Sequence, residues 1–123
     1  MHLLSLAQRS PEKEICGLVG IKAGVLSTCY PINNIADTPE HTFLMHPEEQ
    51  AKAMKSITSK GENLFAIYHS HPTTPAKPSE KDLQEAGQHN AYYLIISLST
   101  KGVLEMAAYQ LQNGSVEAVE LTI

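Results

Sequence analysis

The sequence lacks tryptophan, any cluster of basic residues and any long apolar segment. A membrane-spanning helix needs about 20 consecutive apolar residues, and no stretch of this chain approaches that length. The first residues, MHLLSLAQRSPEKE, also have too short an apolar run for a secretory signal. The sequence therefore predicts a cytoplasmic protein with no membrane as a partner.

Positive charge is scarce, since the chain carries nine Lys and Arg against 13 Asp and Glu, with a formal net charge of -4. The basic residues are scattered, so they form no stripe that could neutralise a row of phosphates. Nucleic acid is therefore not predicted as a partner. The length of 123 residues and the 42% hydrophobic content predict one domain over 1–123, because a chain of this size supports a single core.

Cysteine is limited to Cys16 and Cys29, which lie in neighbouring apolar segments joined by Lys22-Ala23-Gly24. A hairpin with a two-residue loop at 22 and 23 would place the two cysteines directly opposite one another, whereas a bulged loop would shift them apart. Disulfides are rare in cytoplasmic proteins. The sequence thus favours two buried thiols over a disulfide.

Helical and strand patterns alternate along the chain. Helices are predicted at 2–9, at 47–59 and from Ser79 to about Gln88, and strands at 15–21, 25–30, 63–71, 91–98, 103–111 and 115–123. The strands at 63–71 and 91–98 are apolar on both faces, as expected of strands covered on both sides. The sequence therefore predicts an α/β sandwich with a mixed β-sheet flanked by helices.

The segment HSHPTTPAKPSEKD directly follows the strand predicted at 63–71. Side chains alternate along an extended segment, so His69 and His71 project to the same face and can both reach one metal ion. The helix that opens at Ser79 can return the Asp82 carboxylate to the same place. Two histidines and one aspartate would bind a tetrahedral zinc ion and leave its fourth position open.

Asp82 and Ser79 also have a possible role that needs no metal. Ser79 and Asp82 have the spacing of a helix capping box, in which the serine accepts a hydrogen bond from a main-chain N–H group.

Glu14 is the carboxylate that could serve as a general base near a zinc-bound water. It could equally be a solvated glutamate at the edge of a strand.

The combined pattern resembles the full signature of the JAMM (MPN+) zinc metalloproteases. This signature is Glu14 ahead of Cys16-Gly17, then His69-Ser70-His71-Pro72, six residues, Ser79, two residues and Asp82. The resemblance implies a fold similar to that of cytidine deaminases. It also implies the role of each residue: His69, His71 and Asp82 as Zn²⁺ ligands, Glu14 as general base and then general acid, and Ser79 as a hydrogen-bond donor to the oxyanion.

The chain resembles minimal bacterial members of this family, which lack the insertions that eukaryotic deubiquitinating relatives use to bind ubiquitin. The resemblance implies hydrolysis of an amide or isopeptide bond at the C-terminal Gly-Gly tail of a ubiquitin-like or sulfur-carrier protein. Two alternatives stay open: a peptidase of cell-wall or phage-tail components, and a non-catalytic zinc-containing module that binds a ubiquitin-like partner. A deaminase is disfavoured, because the Cys-x-x-Cys zinc pattern of those enzymes is missing from this sequence.

The metal assignment of Asp82 can be tested directly. We expect one zinc ion per chain in protein purified without a histidine tag, and its loss or strong weakening in Asp82→Ala, in which Ser79 is left intact. Elemental mass spectrometry measures the metal content of both proteins. An Asp82→Ala variant that retains zinc as tightly as the parent would assign the aspartate to the helix cap instead.

Overall fold

The structure is a computed structural model, and it describes residues 13–40, 43–72, 92–97, 105–112 and 115–119. Its elements are β1 (Cys16–Lys22), β2 (Val25–Ile32), α1 (Pro47–Ser59), β3 (Asn63–His71), β4 (Tyr92–Ser97), β5 (Glu105–Gln112) and β6 (Ser115–Val119). The helices predicted at 2–9 and after Ser79 lie outside the described residues. Within the described ranges, no helix is both long enough and apolar enough to cross a membrane.

The six strands form one mixed sheet in the order β2-β1-β3-β4-β5-β6. β3 and β4 run parallel, and the other neighbouring strands run antiparallel. The α/β architecture with a mixed sheet is therefore confirmed, as are the predicted bounds of α1 and β3. β4 begins and ends one residue inside its predicted range.

Apolar side chains cover both faces of the central strands, which explains their continuous apolar sequences. One cluster packs between the sheet and α1 and contains Leu18, Ile32, Ala53, Ile57, Ile67 and Tyr93. A second cluster contains Val19, Ala66, Tyr68, Leu94, Ile96 and Ala108. The two clusters divide the alternating residues of β3 between them, so the strand is buried from Ala66 to its end.

Helix α1 begins where its sequence signals place it. Pro47 occupies the first turn, where a missing N–H group costs nothing, and the His46 imidazole accepts a hydrogen bond from the Glu49 main-chain N–H at 3.5 Å. Ala53 and Ile57 are one turn apart and form the buried face of the helix. The helix therefore packs on the sheet through a narrow apolar stripe.

The turn of the β1–β2 hairpin lies one residue later than the loop at 22 and 23 that would place the two cysteines opposite one another. It lies at Ala23 and Gly24, both with positive φ (52° and 79°), as a tight hairpin turn requires. A register shift between Gly20 and Ile21 then offsets the rest of the pairing. Cys16 consequently faces Ile32, and Cys29 faces Val19.

The expectation of two thiols is confirmed, since both cysteines are free. Cys16 is buried, whereas Cys29 is only half-buried. The position of the turn at Ala23 and Gly24, together with the register shift, explains why the pair cannot bridge, because the two residues occupy different rungs of the ladder.

A buried carboxylate joins the end of α1 to β2. Glu62 lies between α1 and β3 and accepts hydrogen bonds from the hydroxyl groups of Ser27, Thr28 (2.6 Å) and Tyr30 (2.5 Å). These three donors lower the pKa of Glu62 to about 2, because they stabilise the ionised form. Gly20 makes room for this carboxylate, since a Cβ there would lie 2.6 Å from Glu62 Oε1.

This network predicts a specific pH dependence of stability. Because the pKa of Glu62 is lower in the folded chain than in the unfolded one, its stabilising contribution is complete above about pH 5 and is lost as the pH falls toward 2. We expect Glu62→Gln to unfold at lower urea concentration than the parent at pH 7. The difference between the two proteins should then shrink between pH 5 and pH 2.

Urea denaturation of metal-free parent and variant, followed by circular dichroism at several pH values, measures this difference. Metal-free samples exclude any contribution from metal loss in acid. A difference that stays constant across the pH range would contradict the role of the Glu62 charge.

Candidate metal and catalytic site

Two histidines meet at the carboxyl end of β3. His69 and His71 are 0% and 4% exposed, and both occupy the face of the sheet predicted from their spacing. Their Nε2 atoms are 3.1 Å apart. The sequence prediction that the two rings can reach one point is therefore confirmed by the geometry.

This separation fits a shared metal ion. Two imidazole nitrogens bound to one tetrahedral zinc ion at the usual Zn–N length would lie about 3.3 Å apart, close to the observed value. A hydrogen bond between the two rings has a similar length, so a metal-free pair can share a proton. The position of the rings is thus suited to holding a cation between them.

Glu14 completes a cluster of three potential metal-binding side chains. One carboxylate oxygen of Glu14 and one ring nitrogen each from His69 and His71 lie within 4.8 Å of one another. Glu14 is 6% exposed, so the alternative of a solvated glutamate at a strand edge is wrong. A buried carboxylate beside two imidazoles can bind a metal ion or exchange a proton with a molecule held there.

Ser70 connects the segment that carries Glu14 to the strand that carries the histidines. Its hydroxyl accepts a hydrogen bond from the Ile15 N–H at 2.9 Å, and its own N–H donates to the Ile15 carbonyl at 3.0 Å. Ser70 projects away from the histidine face by the alternation of the strand. Ser70, which lies between the two histidines, thus holds Ile15, the residue next to Glu14.

The loop between β2 and α1 covers His69 with an aromatic ring. Phe43 stacks on the His69 imidazole with the ring centroids 4.5 Å apart and an angle of 23° between the planes. Stacking restricts the rotation of the imidazole, as precise metal or proton chemistry requires. The sequence pattern places Phe43 just before the helix but contains no local signal for this contact.

Cys16 is the cross-strand neighbour of His69, yet it acts as part of the core. Its thiol donates a hydrogen bond to the Ile32 carbonyl at 3.4 Å. Burial, with a smaller contribution from the negative charge of Glu14, raises the pKa of Cys16 to about 12. The residue is therefore a neutral thiol at physiological pH and a poor nucleophile.

A cavity of about 440 Å³ borders Glu14 on the side of the β2–α1 loop. Its wall also includes Cys16, Asn33, Asn34 and Glu49. The cavity offers space beside the carboxylate for part of a bound molecule.

The matching family model is described as "Prokaryotic homologs of the JAB domain" and covers residues 2–112. This chain belongs to that family. The JAB-domain match spans the predicted site residues Ser79 and Asp82 as well. These two residues lie outside the described part of the structure, so their roles stay predictions.

Named relatives share much of the sequence. A desampylase of Haloferax volcanii is 31% identical over 98 residues, which are 78% of this chain and 70% of that protein. A probable TtuB-protein conjugate cleaving protease of Thermus thermophilus is 40% identical over 85 residues. That match covers 69% of this chain and 54% of the Thermus protein, so this JAB-domain chain spans about half the length of that relative.

A solved structure supports the fold independently. The solution structure of protein DSY2949 from Desulfitobacterium hafniense is 33% identical and superposes with a TM-score of 0.83. The superposition covers 97% of this chain and 84% of the other. The fold of this chain is therefore similar to that of a solved structure over most of both chains.

The link made by Ser70 leads to a prediction for stability. In Ser70→Ala the Ile15 N–H loses its acceptor in a partly buried position, which costs about 1–3 kcal/mol. Urea denaturation should show this decrease in the free energy of unfolding. As a control, Thr58→Ala removes a hydroxyl bonded to the Met54 carbonyl on the exposed side of α1, and we expect a change within about 0.5 kcal/mol. Equal effects of the two variants would contradict the role assigned to Ser70.

Proposed function

We propose that this protein is a zinc metallopeptidase that hydrolyses an amide or isopeptide bond at the C-terminal tail of a ubiquitin-like or sulfur-carrier protein. The observation that carries the proposal is the buried cluster of Glu14, His69 and His71, whose ligand atoms lie within 4.8 Å of one another. The cluster belongs to a chain with the complete JAMM signature and with a JAB-domain family match.

The names of the relatives support the substrate class. The Thermus relative is named for cleavage of TtuB–protein conjugates, and cutting a protein from a conjugate is hydrolysis of an amide-type bond. The Haloferax relative is named a desampylase. We place the reaction in the cytoplasm, and the two free thiols are compatible with a reducing compartment.

His69 and His71 would hold the zinc ion, and we propose Asp82 as the third ligand. When bound, zinc supplies a water of lowered pKa and polarises the substrate carbonyl. Ser79 would donate a hydrogen bond to the oxygen on which negative charge develops, where one donor contributes roughly 3 kcal/mol. These roles for Ser79 and Asp82 follow from the signature of the family.

Glu14 would take a proton from the attacking water and return it to the leaving amine. Its burial next to the histidine pair keeps the carboxylate within reach of a molecule bound there and excludes bulk water from the transfer. The neighbouring cavity gives the leaving side of the substrate a place beside the carboxylate. The chemistry therefore needs Glu14 close to the metal but not bound to it.

The cluster geometry by itself would also permit Glu14 to bind the metal, and one variant separates the two roles. We expect Glu14→Gln to lower kcat by about 10²- to 10⁴-fold, because proton transfer by a positioned side chain contributes that much. Zinc content should stay at the parent level. The substrate is a sulfur-carrier protein joined through its terminal Gly-Gly to an amine-bearing peptide, and cleavage is followed by mass spectrometry.

Glu40→Gln is the matched control, since Glu40 is an exposed glutamate of the β2–α1 loop and should leave turnover and zinc unchanged. Loss of zinc in Glu14→Gln would make Glu14 a ligand. A parent protein that contains zinc and binds the carrier without cleaving the conjugate would support the alternative of a non-catalytic binding module.

A further inference from the structure

The side chain of Asn34 links three separate points of the main chain. Asn34 is the second residue after β2, and its Nδ2 donates to the Glu14 carbonyl at 3.0 Å. Its Oδ1 accepts from the N–H groups of Ala36 (3.0 Å) and Leu44 (2.9 Å). One amide thus joins the segment before β1 to both arms of the β2–α1 loop.

Glu14 needs such support because it lies outside the sheet. β1 begins at Cys16, so the regular ladder of hydrogen bonds stops short of Glu14. The β2–α1 loop supplies partners instead: the Pro39 carbonyl accepts from the Glu14 N–H at 2.7 Å, and Asn34 donates to the Glu14 carbonyl. Both main-chain polar groups of Glu14 are therefore held by this one loop.

The oxygen of the Asn34 amide is connected to the histidines through Leu44 and Phe43. Leu44, whose N–H it accepts, follows Phe43, and the Phe43 ring stacks on His69. A second hydrogen bond, from the Ile35 N–H to the Leu44 carbonyl at 2.8 Å, keeps the two arms of the loop together. The Asn34 amide thus lies between the segment that carries the carboxylate and the ring that packs on the ligand histidine.

We propose that Asn34 is a positioning residue that sets the place of the Glu14 carboxylate relative to His69 and His71. The inference rests on the proposed function, because it assigns Asn34 to the support of the general base. An asparagine suits this position since a short amide has a donor and an acceptor at its two ends. Aspartate would keep the acceptor for Ala36 and Leu44 but could not donate to Glu14.

The test compares Asn34→Asp with Asn63→Asp. Asn63 is an exposed residue at the start of β3, at the opposite end of that strand from His69 and His71. Each substitution replaces an amide by a carboxylate and adds one negative charge. Only the Asn34 substitution removes a hydrogen bond to Glu14.

We expect Asn34→Asp to lower kcat on the order of 10- to 100-fold, because a displacement of about 1 Å in a catalytic group has effects of this size. KM should change by less than about threefold, since ground-state binding is retained, and zinc content should equal that of the parent. Asn63→Asp should keep kcat within about threefold of the parent, because its side chain is far from the cluster of Glu14, His69 and His71 along β3. Equal kcat losses in the two variants, or none in Asn34→Asp, would overturn the inference.

Amide hydrogen exchange measured by NMR on the same zinc-loaded proteins gives a readout that does not depend on turnover. The Glu14 N–H should exchange at least about tenfold faster in Asn34→Asp than in the parent, and at the parent rate in Asn63→Asp. If the Glu14 N–H exchanges faster in Asn34→Asp but kcat is unchanged, Asn34 is purely structural and the inference is overturned. An unchanged exchange rate of the Glu14 N–H in Asn34→Asp would also overturn it.

A parent protein that shows no turnover would overturn the proposed function, whereas the exchange rates would still decide whether Asn34 holds Glu14. If circular dichroism shows that Asn34→Asp does not fold, Asn34→Ser and Asn63→Ser replace the pair. Serine removes the amide in both positions without adding charge, and the same outcomes apply.

Discussion

The antiparallel register of β1 against β3 is the constraint on which the site depends. Cys16 lies opposite His69 in this register, and extending the pairing by two residues brings Glu14 beside His71. The alternation of side chains then puts the carboxylate and both imidazoles on one face of the sheet. A slip of one residue in this pairing would turn either the carboxylate or the two imidazoles to the opposite face. The burial of apolar residues on β1 and β3, which sets the register, therefore also keeps these three side chains together.

The structure stabilises two buried glutamates by different means. Glu62 accepts hydrogen bonds from three hydroxyl groups, so its charge is fully compensated by fixed dipoles and its pKa is low. Glu14 lies instead beside two imidazoles, which can bind a cation or carry a proton. The first arrangement ties β2 to the end of α1, whereas the second leaves a carboxylate that can exchange a proton. A group compensated by three fixed donors would be unsuited to that exchange.

The β2–α1 loop brings these elements together at the end of the sheet. It holds the main chain of Glu14 through Pro39 and Asn34 and places Phe43 against His69. Its own start is held by Glu49 of α1, which accepts hydrogen bonds from the Asn33 N–H and side-chain amide. The described residues of the loop are therefore tied to the site at several points, and the helix that packs on the sheet also supports the segment bearing the carboxylate.

Local patterns in the sequence determined the bounds of α1 and β3 and the common face of His69 and His71. They did so because helix caps, apolar periodicity and strand alternation are properties of neighbouring residues. The signature also singled out Glu14, but its burial beside histidines 55 and 57 positions later became visible only in the tertiary structure. The tertiary structure alone decided the hairpin register, with Ala23 at positive φ, the hydroxyl cluster around Glu62 and the contacts of Asn34. Each of these depends on main-chain geometry or on groups far apart in the chain, and such contacts form only when the packed sheet brings the segments together.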